Sequence, residues 1–183
     1  SLVGSEMCIR DSPSSKYYCQ ATRAKAAVED AREKVARLIG ASPEEIIFTA
    51  GATESTNFII KGYLDYRKFY GDGKNHVITS LVEHKATLNT CKYLNGELYS
   101  NNDPTISLFG EKKRVNRGFE ASFVGVTPNG EINIEDIALK IKENTALVSI
   151  LYVNNEIGTI SDVEAVSALC RNNNICLLYT SPS

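Results

Sequence analysis

The sequence predicts an α/β fold built around a mostly parallel sheet, and three observations carry that prediction. Apolar runs with strand character alternate with segments whose apolar residues recur every three or four positions. The run ALVSILYV, residues 146 to 153, is apolar at nearly every position, which suits a strand covered on both faces. Three polar clusters also follow predicted strands, at the address where open α/β sheets bind ligands.

In chain order, Ala24, Ala27, Val28, Ala31, Val35, Leu38 and Ile39 define an amphipathic helix that Gly40 can close. After Ser42 and Pro43, Ile46 to Thr49 is predicted as a short buried strand. A second helix starts at about Thr53, with Phe58, Ile59, Tyr63 and Tyr66 on one face, and Gly71 and Gly73 break it. His76 to Thr79 is the next strand. The helix from His84 carries Leu88, Cys91 and Leu94 and stops at Asn95 and Gly96. Residues 97 to 118 mix turn formers with a basic run and have no period, so they read as an inserted surface loop. The rhythm resumes at Ala121 to Val126, and Thr127 to Gly130 has the Pro and Gly placement of a β-turn. Asn133 caps a helix marked by Ile134, Ile137 and Ile141. The strand at 146 to 153 and a helix from about Asp162, with Val163, Val166, Leu169 and Cys170, complete the pattern.

The chain has 183 residues, 43% hydrophobic and 23% charged, which is enough for one domain with a core. A formal net charge of -2 gives no electrostatic case for nucleic acid or an anionic membrane surface. No apolar run approaches the ~20 residues of a membrane span. Cys8, Cys19, Cys91, Cys170 and Cys176 form no C-x-x-C pair, which suits a reducing intracellular compartment better than a secreted scaffold. The ends, SLVGSEMCIRDS (1–12) and CLLYTSPS (176–183), read as translated sequencing-adapter scars and are set aside from fold reasoning, leaving residues 13–175. On that expectation the sheet is incomplete, and Leu147 to Val153 lies at an unprotected edge.

The clusters are GATES (51–55), EHKA (83–86) and NNEIG (154–158). In the first, Gly51 and Ala52 leave the backbone accessible at a helix N-terminus, and Thr53 and Ser55 add hydroxyls. That combination is an anion site, most naturally for phosphate, while plain N-capping by Thr49 or Thr53 is the bland alternative. It is neither a G-x-G-x-x-G nor a Walker loop. His84, opening a helix, can stack on a planar ligand or move a proton, or simply cap the helix. His76 stands at the wrong end of its strand for the crevice and reads as structural. Asn154 and Asn155 follow a buried strand, so they hydrogen-bond either a turn or a ligand oxygen.

TAGATESTN, SLVEHKATLNTC and LYVNNEIGTI, preceded by AREKVARLIGASPEEIIFT, closely resemble the cysteine desulfurases, class V aminotransferase-fold enzymes that use pyridoxal 5'-phosphate. The likeness covers roughly residues 14 to 175 apart from the insertion. It implies the fold type I of pyridoxal-phosphate-dependent transferases, with this chain a truncated large domain. It also implies that Ala52 and Thr53 hold the cofactor phosphate, that His84 stacks on the pyridine ring and assists proton transfer, and that Asn155 bonds the ring's phenolic oxygen with Asn154 supporting the turn. The family reaction takes sulfur from L-cysteine as an enzyme persulfide and releases L-alanine, in a homodimer that passes sulfur to an iron–sulfur scaffold protein. The family's ring-nitrogen Asp, its Schiff-base lysine in an S-G-H-K-type motif and its mobile-loop cysteine have no counterpart in these 183 residues. The expectation is therefore an N-terminal fragment, with no acceptor role for Cys19, Cys91 or Cys170. Another class V lyase or aminotransferase, or a non-catalytic phosphate-binding scaffold, is the alternative.

Overall fold

The structure, a computed structural model, describes residues 19–97 and 115–180. The chain divides into two compact units between Thr49 and Ala50.

In the first unit, helix α1 spans Cys19–Ile39. Gly40 ends it with φ of 69°, a left-handed conformation that favours glycine, and the Ala41 N–H returns to the Ala36 carbonyl at 2.9 Å. A short 3-10 turn, Pro43–Glu45, follows a capping box in which the Ser42 N–H donates to the Glu45 carboxylate at 2.8 Å. The strand expected at Ile46 to Thr49 does not form. These residues have no ladder partner among the described residues, and Ile47 and Phe48 are exposed. Arg32 anchors the segment instead: its guanidinium donates to the Ile46 carbonyl and lies 5.2 Å from the centre of the Phe48 ring. The apolar face expected on α1 is only partly used, since Ala36 is buried while Leu38 is 85% exposed.

The second unit is a four-stranded parallel sheet with helices on both faces. Its strands are β1 (His76–Ser80), β2 (Glu120–Val124), β3 (Thr145–Leu151) and β4 (Cys176–Thr180), in the spatial order β2-β1-β3-β4. All three pairings are parallel. Helices α2 (Ala52–Phe69) and α3 (Lys85–Leu94) cover one face. There Ile60, Leu64, Cys91 and Leu94 pack on Val77 and Leu147. Helices α4 (Ile134–Lys140) and α5 (Val163–Asn172) cover the other, where Ile137, Val166 and Cys170 meet Ile78, Val124, Val148 and Ile150. Because successive strand side chains point to opposite faces, a strand covered twice must be apolar throughout. Accordingly, β1 and β3 are buried along their whole length.

Two expectations need correction. The segment set aside at the C-terminal end contributes β4, in register with β3 from Leu147 opposite Cys176 to Leu151 opposite Thr180. Leu177 packs against one core cluster and Leu178 against the other, so the segment has the alternation of a strand. For the same reason β3 is an interior strand and not an unprotected edge. The inward face of α2 is also not the one expected. Thr56, Ile60 and Leu64 point inward, while Phe58, Ile59 and Tyr66 are exposed and Tyr63 is half-buried. This helix carries more apolar residues than one stripe can hold, and periodicity alone picked the wrong stripe.

Other expectations hold. Gly130 N–H bonds the Thr127 carbonyl at 2.8 Å to close the β-turn, and the Asn133 side chain caps α4 through the Glu135 N–H at 3.0 Å. Most of the expected insertion, residues 98–114, lies outside the described residues. Its flanks meet, with the Val115 N–H donating to the Gly96 carbonyl at 3.0 Å. His76 is fully buried between strands, Nδ1 2.8 Å from the Thr145 hydroxyl and Nε2 2.9 Å from that of Ser122, a structural role. Among the described residues no helix is long and apolar enough to cross a membrane.

Candidate active site

The sheet order sets the address of the site. From β1 the chain moves outward to β2, then returns to place β3 on the other flank of β1. The connections leaving β1 and β3 therefore diverge, and a crevice opens outside their carboxyl ends. EHKA leaves β1 and NNEIG leaves β3, so both stand at this switch point.

His84 is the N-cap of α3, and its Nδ1 accepts from the Ala86 N–H at 3.1 Å. An accepting Nδ1 fixes the tautomer of the neutral ring: the proton is on Nε2, the nitrogen left for a ligand. The ring is exposed.

Helix α2 begins without a side-chain cap. Its N-cap is Gly51, neither Thr49 nor Thr53, so no side-chain oxygen from the cap position engages the first-turn N–H groups. The Glu54 carboxylate turns back to the Ala50 N–H at 2.5 Å. Ser55 differs from expectation, since its hydroxyl points to the Gly51 carbonyl at 3.4 Å. Ala52 and Thr53 are exposed. Together with Ala50, Gly51, Glu54, Asn57, Phe58, Lys61, Gly62 and His84 they line an open pocket of about 930 Å³. Two of the three sequence clusters thus meet in one cavity. Lys61 adds a cationic side chain to its wall, and the helix N-terminus adds a positive partial charge.

Two residues that periodicity did not single out hold this arrangement. Asn57 accepts from the Thr90 hydroxyl on α3 at 2.9 Å and donates to the Thr53 carbonyl at 3.0 Å. It therefore ties the first turn of α2 to the helix that starts at His84. A polar Asn facing a polar Thr at helix-core positions is the signal that was available in the sequence.

The third cluster joins through backbone clamps and is not part of the cavity wall. Asn154 is buried, and its Nδ2 donates to the Val82 carbonyl at 2.9 Å. Its Oδ1 accepts from the Glu156 and Ile157 N–H groups at 2.8 and 3.1 Å. The turn closes through the Gly158 N–H to the Asn154 carbonyl at 2.9 Å, with Gly158 at φ 74°, where a Cβ would be strained. Asn155 is exposed on this turn and is not among the residues lining the pocket.

Burial pushes the Cys91 thiol up to about 12 and the Cys170 thiol up to about 11, so neither is a ready nucleophile. Among the described residues no group of His, Cys, Asp and Glu could hold a metal ion.

The parallel sheet, the loops leaving β1 and β3 and the pocket at the N-terminus of α2 form an α/β scaffold with its cavity at a helix end. The model of the aminotransferase class-V family matches residues 9–99 and 109–180, and the chain belongs to that family. The unmatched residues 100–108 fall within the expected insertion. Among curated relatives, the cysteine desulfurase IscS of Buchnera aphidicola subsp. Baizongia pistaciae (strain Bp) is 43% identical over 163 residues, covering 89% of this chain and 35% of that protein. Among solved structures, a NifS-like protein superposes with a TM-score of 0.72 at 32% identity, covering 100% of this chain and 43% of that one. SspA in complex with cysteine gives 0.73 at 32% identity, over 92% of this chain and 42% of that one. The chain spans about a third of the length of the curated relatives it matches, 35% for the IscS above.

Proposed function

We propose that this chain is the cofactor-binding part of a pyridoxal-phosphate-dependent cysteine desulfurase. The observation that carries the proposal is the pocket in which the uncapped N-terminus of α2, with Ala52 and Thr53, faces His84. The likeness to proteins named cysteine desulfurase, and to a structure in complex with cysteine, supports the reaction and the substrate class.

The residues fit the group. A phosphate matches first-turn N–H groups that no N-cap side chain engages, and a planar ring matches an exposed histidine across the same cavity. When bound, pyridoxal phosphate supplies an electron sink for charge that develops on the amino-acid substrate. The chain's own residues bind and orient. Ala52 and Thr53 hold the phosphate through a backbone N–H and a hydroxyl. His84 stacks against the ring, with Nε2 as the nitrogen that holds or moves a proton because Nδ1 is engaged by Ala86. Asn155, presented by the turn that Asn154 braces, bonds the ring's phenolic oxygen. L-cysteine then loses its sulfur to an enzyme thiol as a persulfide, and L-alanine leaves. That thiol is neither Cys91 nor Cys170, which are buried and protonated. The working enzyme is a homodimer of a reducing compartment that hands sulfur to an iron–sulfur scaffold protein.

In the complete enzyme, Thr53→Ala removes a hydrogen bond to a charged group, on the order of 1.5–3 kcal/mol, and weakens retention of pyridoxal phosphate about tenfold or more. Titration of the apoenzyme with the cofactor measures this. Unchanged affinity, or no alanine release from L-cysteine by the complete wild-type enzyme, would defeat the assignment.

A further inference from the structure

The loop between β1 and His84 contains a buried carboxylate that the proposed function does not use. Glu83 is 6% exposed. Its Oε1 accepts from the Leu151 N–H at the end of β3 and from the Ser80 hydroxyl at the end of β1, the latter at 3.3 Å. Its Oε2 is buried without a hydrogen-bond partner. A carboxylate placed there is costly, since burial pushes it up to about 7 against the lowering effect of the Leu151 N–H and the Ser80 and Thr87 hydroxyls. An apolar side chain would fill the same space at lower cost, so the position calls for what an apolar side chain cannot provide: one acceptor oxygen that joins two strand ends. The pairing of β1 with β3 ends at Thr79 opposite Ser149, and the Leu151 N–H, two residues beyond, takes the Glu83 carboxylate as its acceptor.

The clamp has a second half. One residue earlier, the Val82 carbonyl accepts from the Asn154 amide. Residues 82 and 83 are thus bonded to residues 154 and 151, and the next residues outward are His84 and Asn155. The loop that presents the ring-facing histidine and the loop that presents the second amide are cross-tied at adjacent positions.

We propose that Glu83 is a positioning residue for the cofactor: its carboxylate locks the end of β1 to the end of β3 and so fixes where the His84 ring stands over the pocket. The role rests on the reading of the pocket as a pyridoxal-phosphate site. Glu83 touches no reacting atom and acts through His84. Removing it leaves the pocket lining chemically intact but frees the histidine loop to shift, and an ångström-scale misplacement of a positioning group is enough to weaken what it holds.

The test uses the complete enzyme stripped of cofactor and titrated with pyridoxal phosphate, following both affinity and the circular dichroism induced in the cofactor's visible band. Glu83→Ala is expected to weaken affinity about tenfold and to reduce the induced signal. Glu83→Gln retains an oxygen acceptor for the Leu151 N–H and is expected to restore both to within about threefold of wild type. Glu83→Asp, one methylene shorter, loses the reach to both strand ends and takes the place of the alanine variant if that one fails to fold. A purely structural role would lower the melting temperature yet leave the induced band per bound cofactor unchanged, and that result overturns the proposal. Equal impairment of the alanine and glutamine variants overturns it too, because the acceptor oxygen would then not be what matters. Thr53→Ala separates the two ideas. If it loses affinity while the Glu83 variants keep both affinity and signal, only the clamp is wrong. If Thr53→Ala binds as wild type, the phosphate reading fails and the clamp falls with it.

Discussion

Asn154→Ala is expected to destabilise the second unit by about 3 kcal/mol, because one side chain there satisfies three backbone groups at once. Its amide donates to the Val82 carbonyl and its oxygen accepts from the Glu156 and Ile157 N–H groups. Each such bond contributes about 1 kcal/mol net, and more when the partner left behind is shielded from water. Asn154 is buried, so replacement by solvent is restricted. Asn154→Asp separates the parts: it keeps an acceptor for the two N–H groups but sets a carboxylate oxygen against the Val82 carbonyl, and should cost at least as much as the alanine change. Thermal unfolding of the complete enzyme, with cofactor retention followed alongside, reads both. A loss under about 0.5 kcal/mol for the alanine variant would mean that the turn is held by Gly158 and its backbone bonds alone.

The second large effect is a pair of opposed pH dependences from two buried groups. Burial pushes His76 down to about 4, from an ordinary 6.5, with the Lys142 charge adding to the effect and Glu120 opposing it. The native protein thus resists protonation that the unfolded chain accepts. The stability tied to a neutral His76 is present above 6.5 and is lost as pH falls from there through about 4. Glu83 has the opposite sign. Its proton is held up to about 7 in the fold but only to 4.5 when unfolded, so its contribution is present below 4.5 and is lost as pH rises through about 7. At ~1.4 kcal/mol per tenfold change in proton affinity, each amounts to about 3 kcal/mol. The two nearly cancel in the wild-type curve. The expected result is that His76→Gln gains relative to wild type as pH is lowered through this range, and Glu83→Gln gains as pH is raised. Difference curves parallel to wild type for either variant would refute the corresponding burial effect.

The same residues show where the sequence was legible. GATES, EHKA and NNEIG announced themselves because polar residues following apolar runs need a reason to be there. The two histidines were separable by position along one strand, His76 at its start and His84 beyond its end, and the structure keeps that separation. The caps of α4 and the β-turn at Thr127 to Gly130 were legible because they depend on a few neighbouring residues. The strand expected at Ile46 to Thr49 was not reliable, because a strand exists only through a partner that local pattern does not reveal. Cys176 to Thr180 lies too near the end of the chain for its local pattern to announce a strand, and only a place beside β3 shows its Leu177 and Leu178 to be two-faced packing residues.

What the sequence determined by itself was the alternating α/β order, the apolar character of β1 and β3 and the identity of the polar clusters, since each depends on short-range periodicity or composition. Only the tertiary structure decided the order β2-β1-β3-β4, which places the diverging connections at the ends of β1 and β3. It also decided that Gly51 is the cap of α2, that Asn57 reaches Thr90 and that Glu83 reaches Leu151. Those facts pair residues tens of positions apart, or depend on which side chain fails to cap. Hydrogen bonds across such separations follow from how layers stack, and stacking is settled by the burial of the whole apolar surface rather than by any local stretch of the chain.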